Sequence, residues 1–304
     1  MNSRTLTDFN PSPDNDAPDR SAPAIAAESV DASGPGAARD AAFATTLAKG
    51  LQVLEAFTLE APLLGNSEIA ARTGIARPTV ARLAHTLARL GYLKYDPTRA
   101  KYGLWTRLLE TAYPLIAGLE VRQVARPGMQ ELAASVRGAV SLTILDGTRV
   151  VIIECSRAAD LAGFTPEIGN SSPLVQVAVG RALFSSLSPT EQTEMASRIA
   201  SETPDLWEQF GERTLESAKF CEDHGFCISR GDLRTHMHSA GVPLYRSADN
   251  VCFGISCGIP AFRLRQDQLE NEIGPRLVAL AANVRALMDG ASTTSDDSLR
   301  KTRS

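Results

Sequence analysis

The chain has 304 residues, enough for two domains of ordinary size with a core in each. Its 43% hydrophobic and 22% charged residues exclude a fibrous or wholly disordered protein, and no apolar, charge-free window of eighteen residues is present to form a membrane-spanning helix. The net charge of −4 hides an asymmetry: residues 1–40 carry 3 basic and 7 acidic side chains and residues 41–104 carry 8 and 4, so a small basic module suited to phosphate lies between an acidic tail and an acidic body.

Residues 1–42 are rich in Pro, Ala, Asp, Ser and Gly and are expected to form a disordered acidic tail. They hold no apolar run behind a basic start, and the five cysteines contain no Cys-x-x-Cys pair; the expectation is a cytoplasmic protein with reduced thiols. Order is expected from Phe43, where Leu47, Leu51, Leu54 and Phe57 recur at helical spacing. Asn66 and Ser67 give an N-cap signal for a short second helix that Gly74 closes. A third helix opens at Arg77-Pro78-Thr79. At 100° per residue Val80, Leu83, Ala84, Leu87 and Leu90 share one face, while Pro78, Ala81, Arg82, His85 and Arg89 lie opposite and Thr86 lies at the margin. Tyr92–Tyr95 and Lys101–Leu104 read as strands flanking the turn Asp96-Pro97-Thr98-Arg99. Three helices and a basic hairpin make a winged helix-turn-helix. Its candidate DNA contacts are Arg77, Thr79, Arg82, His85, Thr86 and Arg89 on the third helix and Lys94, Arg99 and Lys101 on the wing.

An apolar stretch from Leu104, expected to stop near Pro114, reads as a linker helix over 105–118. Two helical stretches follow at Leu119–Arg126 and Pro127–Val136. Ala139–Leu145 and Val150–Cys155 flank Asp146-Gly147, a hairpin signal. Helices are expected near Val177–Leu187, Ser188–Ala200 and Glu212–His224, strands at Phe226–Ser229, Ser239–Tyr245 and Val251–Cys257, and a last helix at about Arg265–Met288. Strand pairs joined by tight turns make this body α+β, an antiparallel sheet with helices on its faces. It spans 119–290, with 291–304 as a second disordered tail.

As an ordered set these segments resemble the IclR family of bacterial transcriptional regulators. The resemblance rests on Leu47-Ala-Lys-Gly-Leu-Gln-Val-Leu, Glu68-Ile-Ala-Ala-Arg-Thr-Gly-Ile, Arg77-Pro-Thr-Val-Ala-Arg-Leu and Arg89-Leu-Gly-Tyr-Leu, then Tyr102-Gly-Leu-Trp. It continues through Ser172-Pro-Leu-Val-Gln-Val-Ala-Val-Gly-Arg-Ala-Leu, Gly225-Phe-Cys-Ile-Ser-Arg-Gly-Asp, Ala240-Gly-Val-Pro-Leu-Tyr and Ile255-Ser-Cys-Gly-Ile-Pro-Ala-Phe, covering about 43–290. It implies a GAF-like effector domain, a palindromic operator, a homodimer or dimer of dimers, and a small-molecule effector, usually an organic acid or aromatic metabolite. Carried over by position, the effector pocket takes Ala178, Val179, Ser229, Ser239, Ser256 and Gly258. Ser229 stands where some relatives carry a carboxylate, and Gly258 where the second serine of a Ser-x-Ser pair is common.

Two other chemistries compete. Gly254-Ile-Ser256-Cys-Gly258 spells the nucleophile-elbow string of hydrolases, but all four histidines precede Ser256 and Ile259-Pro260 does not open a helix. His236 and His238 on one strand, with Cys155 or Cys252, would make a soft metal site, yet no spaced ligand set accompanies them. The expectation is therefore a regulator without catalytic residues, resident metal or cofactor.

Overall fold

The structure, a computed structural model, describes residues 42–161 and 166–301, with 291–301 as backbone only. The expected tail at 1–42 thus lies outside the described residues except for Ala42, as do 302–304. Two compact units divide between Pro114 and Leu115.

In the first unit α1 (Thr45–Glu55), α2 (Asn66–Thr73) and α3 (Arg77–Arg89) precede the antiparallel pair β1 (Leu93–Asp96) and β2 (Lys101–Leu104). Val53, Phe57, Ile69, Val80, Ala84, Leu93 and Tyr102 form its core. Leu64 extends the wing by exchanging backbone hydrogen bonds with Tyr102 at 2.8 and 2.9 Å. Gly74 takes the left-handed conformation (φ 68°) that lets the chain turn sharply from α2 towards α3. The N-cap of α2 is Gly65, not Asn66 or Ser67; with no side chain at the cap, Glu68 reaches back and accepts the Gly65 amide at 2.7 Å. Leu47 and Leu51 are exposed, because α1 turns Val53 inward instead, followed by the buried Ala56 and Phe57 just past its end. Leu90, expected on the core face of α3, is the C-cap and is also exposed.

Helix α4 (Arg107–Ala117) runs on through Pro114. The expected pair of helices beyond it is one helix, α5 (Glu120–Val136), with Pro127 inside. Pro127 and the residue four positions before it, Gln123, are both exposed, so the carbonyl that loses its partner meets water and the helix survives.

The second unit is built on six strands: β3 (Ala139–Asp146), β4 (Arg149–Arg157), β5 (Ser171–Pro173), β6 (Cys227–Arg230), β7 (Met237–Arg246) and β8 (Cys252–Pro260). Their order is β5-β4-β3-β8-β7-β6 and every neighbouring pair is antiparallel. The fold class is α+β, as expected. On one face α5 and α9 (Gly274–Lys301) bury Met129, Leu132, Leu277 and Ala281 against Val140, Leu142, Val242, Ile255 and Cys257. On the other lie α6 (Ala178–Ser185), α7 (Pro189–Glu202) and α8 (Pro204–His224), whose cluster includes Val150, Leu174 and Cys252. Cys252 and Cys257 therefore sit on opposite faces, as their five-residue separation requires. α9 is assigned to Lys301, so the boundary expected at 290 falls inside it.

Period-two alternation prepares the second face for a site. β8 turns Ile255, Cys257 and Ile259 towards α5 and α9 and Gly254, Ser256 and Gly258 the other way. β3 does the same with Val140 and Leu142 against Ser141 and Thr143, and β7 with Ala240 and Val242 against Ser239 and Gly241.

Candidate functional site

Along α3 the side chains of Arg77, Arg82, His85, Thr86 and Arg89 are exposed, opposite the fully buried Val80 and Ala84. Among the described residues none of these three arginines enters an ion pair. Thr86 donates its hydroxyl proton to the Arg82 carbonyl at 2.9 Å, so only its lone pairs face outward. At the helix start the Thr79 and Val80 amides both donate to the Ala76 carbonyl, at 2.8 and 3.0 Å, and Pro78 has no amide. The anion donors left there are the Arg77 amide and the Thr79 hydroxyl, fewer than a bare helix start provides.

The wing is more self-compensated than its composition suggests. Lys94 places its ammonium 4.2 Å from the centre of the Trp105 ring. Arg99 pairs with Asp96 at 3.0 Å and Lys101 with Glu68 at 2.8 Å. The Gly65 amide first, and Lys101 second, hold the Glu68 carboxyl below its ordinary range. Both pairs are exposed, and a phosphate can compete with the carboxylate for either cation. Glu68, Trp105 and the half-exposed Tyr95, which packs on Tyr102 with ring centres 4.9 Å apart, are surface features that residue-type counting passes over.

In the second unit Ala178, Val179, Ser229, Ser239, Ser256 and Gly258 all line one cavity of about 120 Å³. The register explains how four strands meet there: Ser229 lies opposite Ser239, Ser239 opposite Gly258, and Gly258 opposite Ala139, with Gly241, Ser256 and Ser141 forming the next row. Gly241 lets α6 close the site, since a Cβ there would lie 2.3 Å from the Val179 nitrogen. The amides of Ala178, Val179 and Gly180 have no backbone acceptor among the described residues, which leaves the positive end of α6 towards the cavity.

Thr143, Ser172, Gln176 and Arg234, which the sequence does not single out as pocket residues, also line the cavity, as does His238, weighed there only as a metal ligand. Burial first, and then Arg230, hold the His238 ring below its usual proton affinity, which favours a neutral imidazole. Gln176 Oε1 is buried with no hydrogen-bond partner, an acceptor that a ligand donor would satisfy.

Two family models match the chain: the IclR helix-turn-helix domain over residues 46–97 and the bacterial transcriptional regulator IclR C-terminal domain over 114–286. The chain belongs to the IclR family. The regulator is 27% identical over 248 residues to the HTH-type transcriptional regulator TsaQ1/TsaQ2 of Comamonas testosteroni, covering 81% of this chain and 89% of that one. A crystal structure of an IclR family transcriptional regulator from Brucella abortus is 35% identical, with a TM-score of 0.73 over 82% of this chain and 94% of the other. An IclR homologue from Microbacterium hydrocarbonoxydans, crystallised with 4-hydroxybenzoate, shares the fold at 22% identity and a TM-score of 0.61, covering 79% and 97% of the two chains. Like these relatives, the regulator carries a DNA-binding head and an effector-type domain, and the comparisons favour regulation over the enzymatic alternative.

The regulator's geometry also disposes of the nucleophile-elbow string. Ser256 lies in mid-strand and β8 continues to Pro260, so it lacks the strained strand-to-helix turn that exposes a nucleophile. His236 precedes β7, so it does not share a strand face with His238, and among the described residues no group of three His, Cys, Asp or Glu side chains is placed to hold a metal. No described helix is long and apolar enough to cross a membrane.

Behind the cavity wall the regulator holds a buried ion cluster. Arg181 on α6, 1% exposed, donates to the carbonyls of Val175 at 2.8 Å and Ile228 at 3.4 Å and to Asp232 Oδ2 at 2.8 Å. Arg213 of α8 pairs with the other Asp232 oxygen. The Ser229 hydroxyl points its proton at Asp232 Oδ2 (2.9 Å) and the Gln176 carbonyl (3.2 Å). Ser229 can therefore accept a hydrogen bond from a ligand but has no proton to spare for a ligand carboxylate.

Proposed function

We propose that the regulator controls a catabolic operon, binding a palindromic operator through α3 as a homodimer or dimer of dimers, and that a small organic acid in the 120 Å³ cavity shifts its DNA affinity. The observation that carries the DNA half is the row of cations Arg77, Arg82 and Arg89 along an exposed helix face, unpaired among the described residues, with His85 between them. α3 enters the major groove; Arg82 and His85 reach base edges, while Arg77, Thr79, Arg89 and Lys94 meet phosphate. Arg99 and Lys101 join them only as the operator displaces Asp96 and Glu68.

One head with so few phosphate contacts binds weakly at physiological salt, so pairing is needed. Exposed apolar side chains support pairing: Phe43, Leu47 and Leu51 on and beside α1, and Leu109, Tyr113 and Leu115 on α4, a helix with no buried residue. In the cavity the α6 amides, Ser239 and Ser256 provide donors for a carboxylate, Ser229 and Gln176 provide acceptors, and the homologue crystallised with 4-hydroxybenzoate supports an aromatic acid as the ligand class. An effector shifts the equilibrium only by the difference in its affinity for the DNA-competent and incompetent arrangements.

The test is fluorescence anisotropy of the full-length regulator on labelled DNA from its own promoter. With roughly six phosphates neutralised by a pair of heads, affinity is expected to fall about 10³-fold between 50 and 200 mM salt, and 4-hydroxybenzoate is expected to change the affinity for promoter DNA. Equal affinity for promoter and scrambled DNA would refute the proposal.

The Glu68–Lys101 pair gives a second expected outcome. Glu68→Gln keeps an oxygen for the Gly65 amide but removes the carboxylate that the operator must otherwise displace from Lys101, so affinity for promoter DNA is expected to rise several-fold at low salt. Unchanged affinity would mean that Lys101 never meets the backbone.

A further inference from the structure

The cavity face contains three strand glycines, and only two are demanded by packing. A Cβ on Gly241 would lie 2.3 Å from the Val179 nitrogen, and one on Gly254 would lie 2.6 Å from Val179 Cγ2, so the seating of α6 requires both. Gly258 differs. A Cβ there would meet nothing closer than Met237 Cε at 3.7 Å, an ordinary contact with the end of a flexible side chain, and its φ is not in the left-handed region. Glycine nevertheless weakens a strand interior, and where neither turn nor packing calls for it the remaining reason is close approach by something else.

Its surroundings say what kind of space is kept. The register places Ala139 and Ser239 on either side of Gly258, so a row of three small residues floors this part of the cavity. The volume of about 120 Å³ is close to the roughly 150 Å³ of an engineered apolar void that takes up benzene. One six-membered ring fits, and a side chain on Gly258 would take part of the space that the ring needs.

We infer that Gly258 is the size-selecting residue of the cavity: the place of its missing side chain is reserved for the ring of a monocyclic acid, and a side chain there converts the site to short-chain acids. This rests on the reading of the cavity as the effector site. The substitutions suit a test because the backbone and its neighbours tolerate a Cβ, so Gly258→Ala and Gly258→Ser should melt at or above the parent temperature.

The experiment is calorimetric titration of the full-length regulator, Gly258→Ala and Gly258→Ser with 4-hydroxybenzoate and with pyruvate, alongside thermal melts. The parent is expected to prefer 4-hydroxybenzoate, and Gly258→Ser to lose about tenfold or more of that affinity while its affinity for pyruvate is kept or raised. Gly258→Ala is expected to fall between the two. Unchanged or tighter 4-hydroxybenzoate binding by well-folded variants overturns the role of Gly258 and leaves the cavity reading standing. A parent that prefers pyruvate overturns it too. A parent that binds neither acid removes the cavity reading, and the inference with it.

Discussion

Asp232→Ala is expected to cost the second unit about 3–5 kcal/mol, the usual penalty for leaving one member of a buried ion pair without its partner. The Arg181 guanidinium is 1% exposed and the Asp232 side chain 6%, so solvent screening does little to soften the loss. The two carbonyls that Arg181 also contacts are neutral acceptors and offset only part of the charge. Arg213, half exposed, turns to water at little cost. For a unit of this size the penalty lowers the melting temperature by roughly 10 °C. The first unit's core, built on Val53, Ile69, Val80 and Tyr102, contains none of these groups, and its transition should stay in place. The double substitution Arg181→Met with Asp232→Leu removes both charges and should recover most of the loss. A single-variant penalty below about 1 kcal/mol would show that water reaches Arg181 and that the pair does not hold α6 in place.

The cluster also marks what a one-dimensional reading misses. Arg181 lies in a motif legible by resemblance, but its partners are Val175, Ile228 and Asp232, the last two 47 and 51 residues away. No spacing rule joins α6 to the turn after β6. Glu154 is similar: buried in β4, it takes Arg122 and Arg126 from α5 at 3.0 and 2.6 Å. What was legible follows from local chemistry. Gly74, the arginine face of α3 and the hairpin at Asp146-Gly147 are set by φ preference and periodicity, and the structure places them where those rules do.

The misreadings have physical causes. The sequence reads Pro114 as a helix end and Pro127 as a helix start because proline removes a donor, yet both prolines are exposed inside their helices, where water can serve the freed carbonyl. Gly254-x-Ser256-x-Gly258 looked like a motif of catalysis, but its period of two is that of one strand face, and Ser141-x-Thr143 and Ser239-x-Gly241 repeat it on the neighbouring strands. Three adjacent strands with small or polar residues on one face and aliphatic residues on the other are a sequence signature for a cavity under a helix. The wing cations were counted by type alone, whereas Asp96 and Glu68 are brought to them by the turn and by α2.

Arg82→Ala is expected to abolish specific operator binding while the fold and oligomeric state are kept, since the side chain is exposed and pairs with nothing among the described residues. A bidentate arginine contact with guanine is worth roughly 1–3 kcal/mol per site, so two heads on a palindrome lose about 2–6 kcal/mol together. Arg82→Lys separates the two ways the residue can act. Lysine keeps the charge that a phosphate sees but lacks the planar fork that matches a base edge, so a base contact predicts a large loss of preference for promoter over scrambled DNA with little change in salt slope. Arg89→Ala should behave in the opposite way, weakening all sequences alike and lowering the slope by about 1 per head. If Arg82→Lys retains full promoter preference, Arg82 is a phosphate contact, and the base-reading role moves to His85 and the positions beside it on α3.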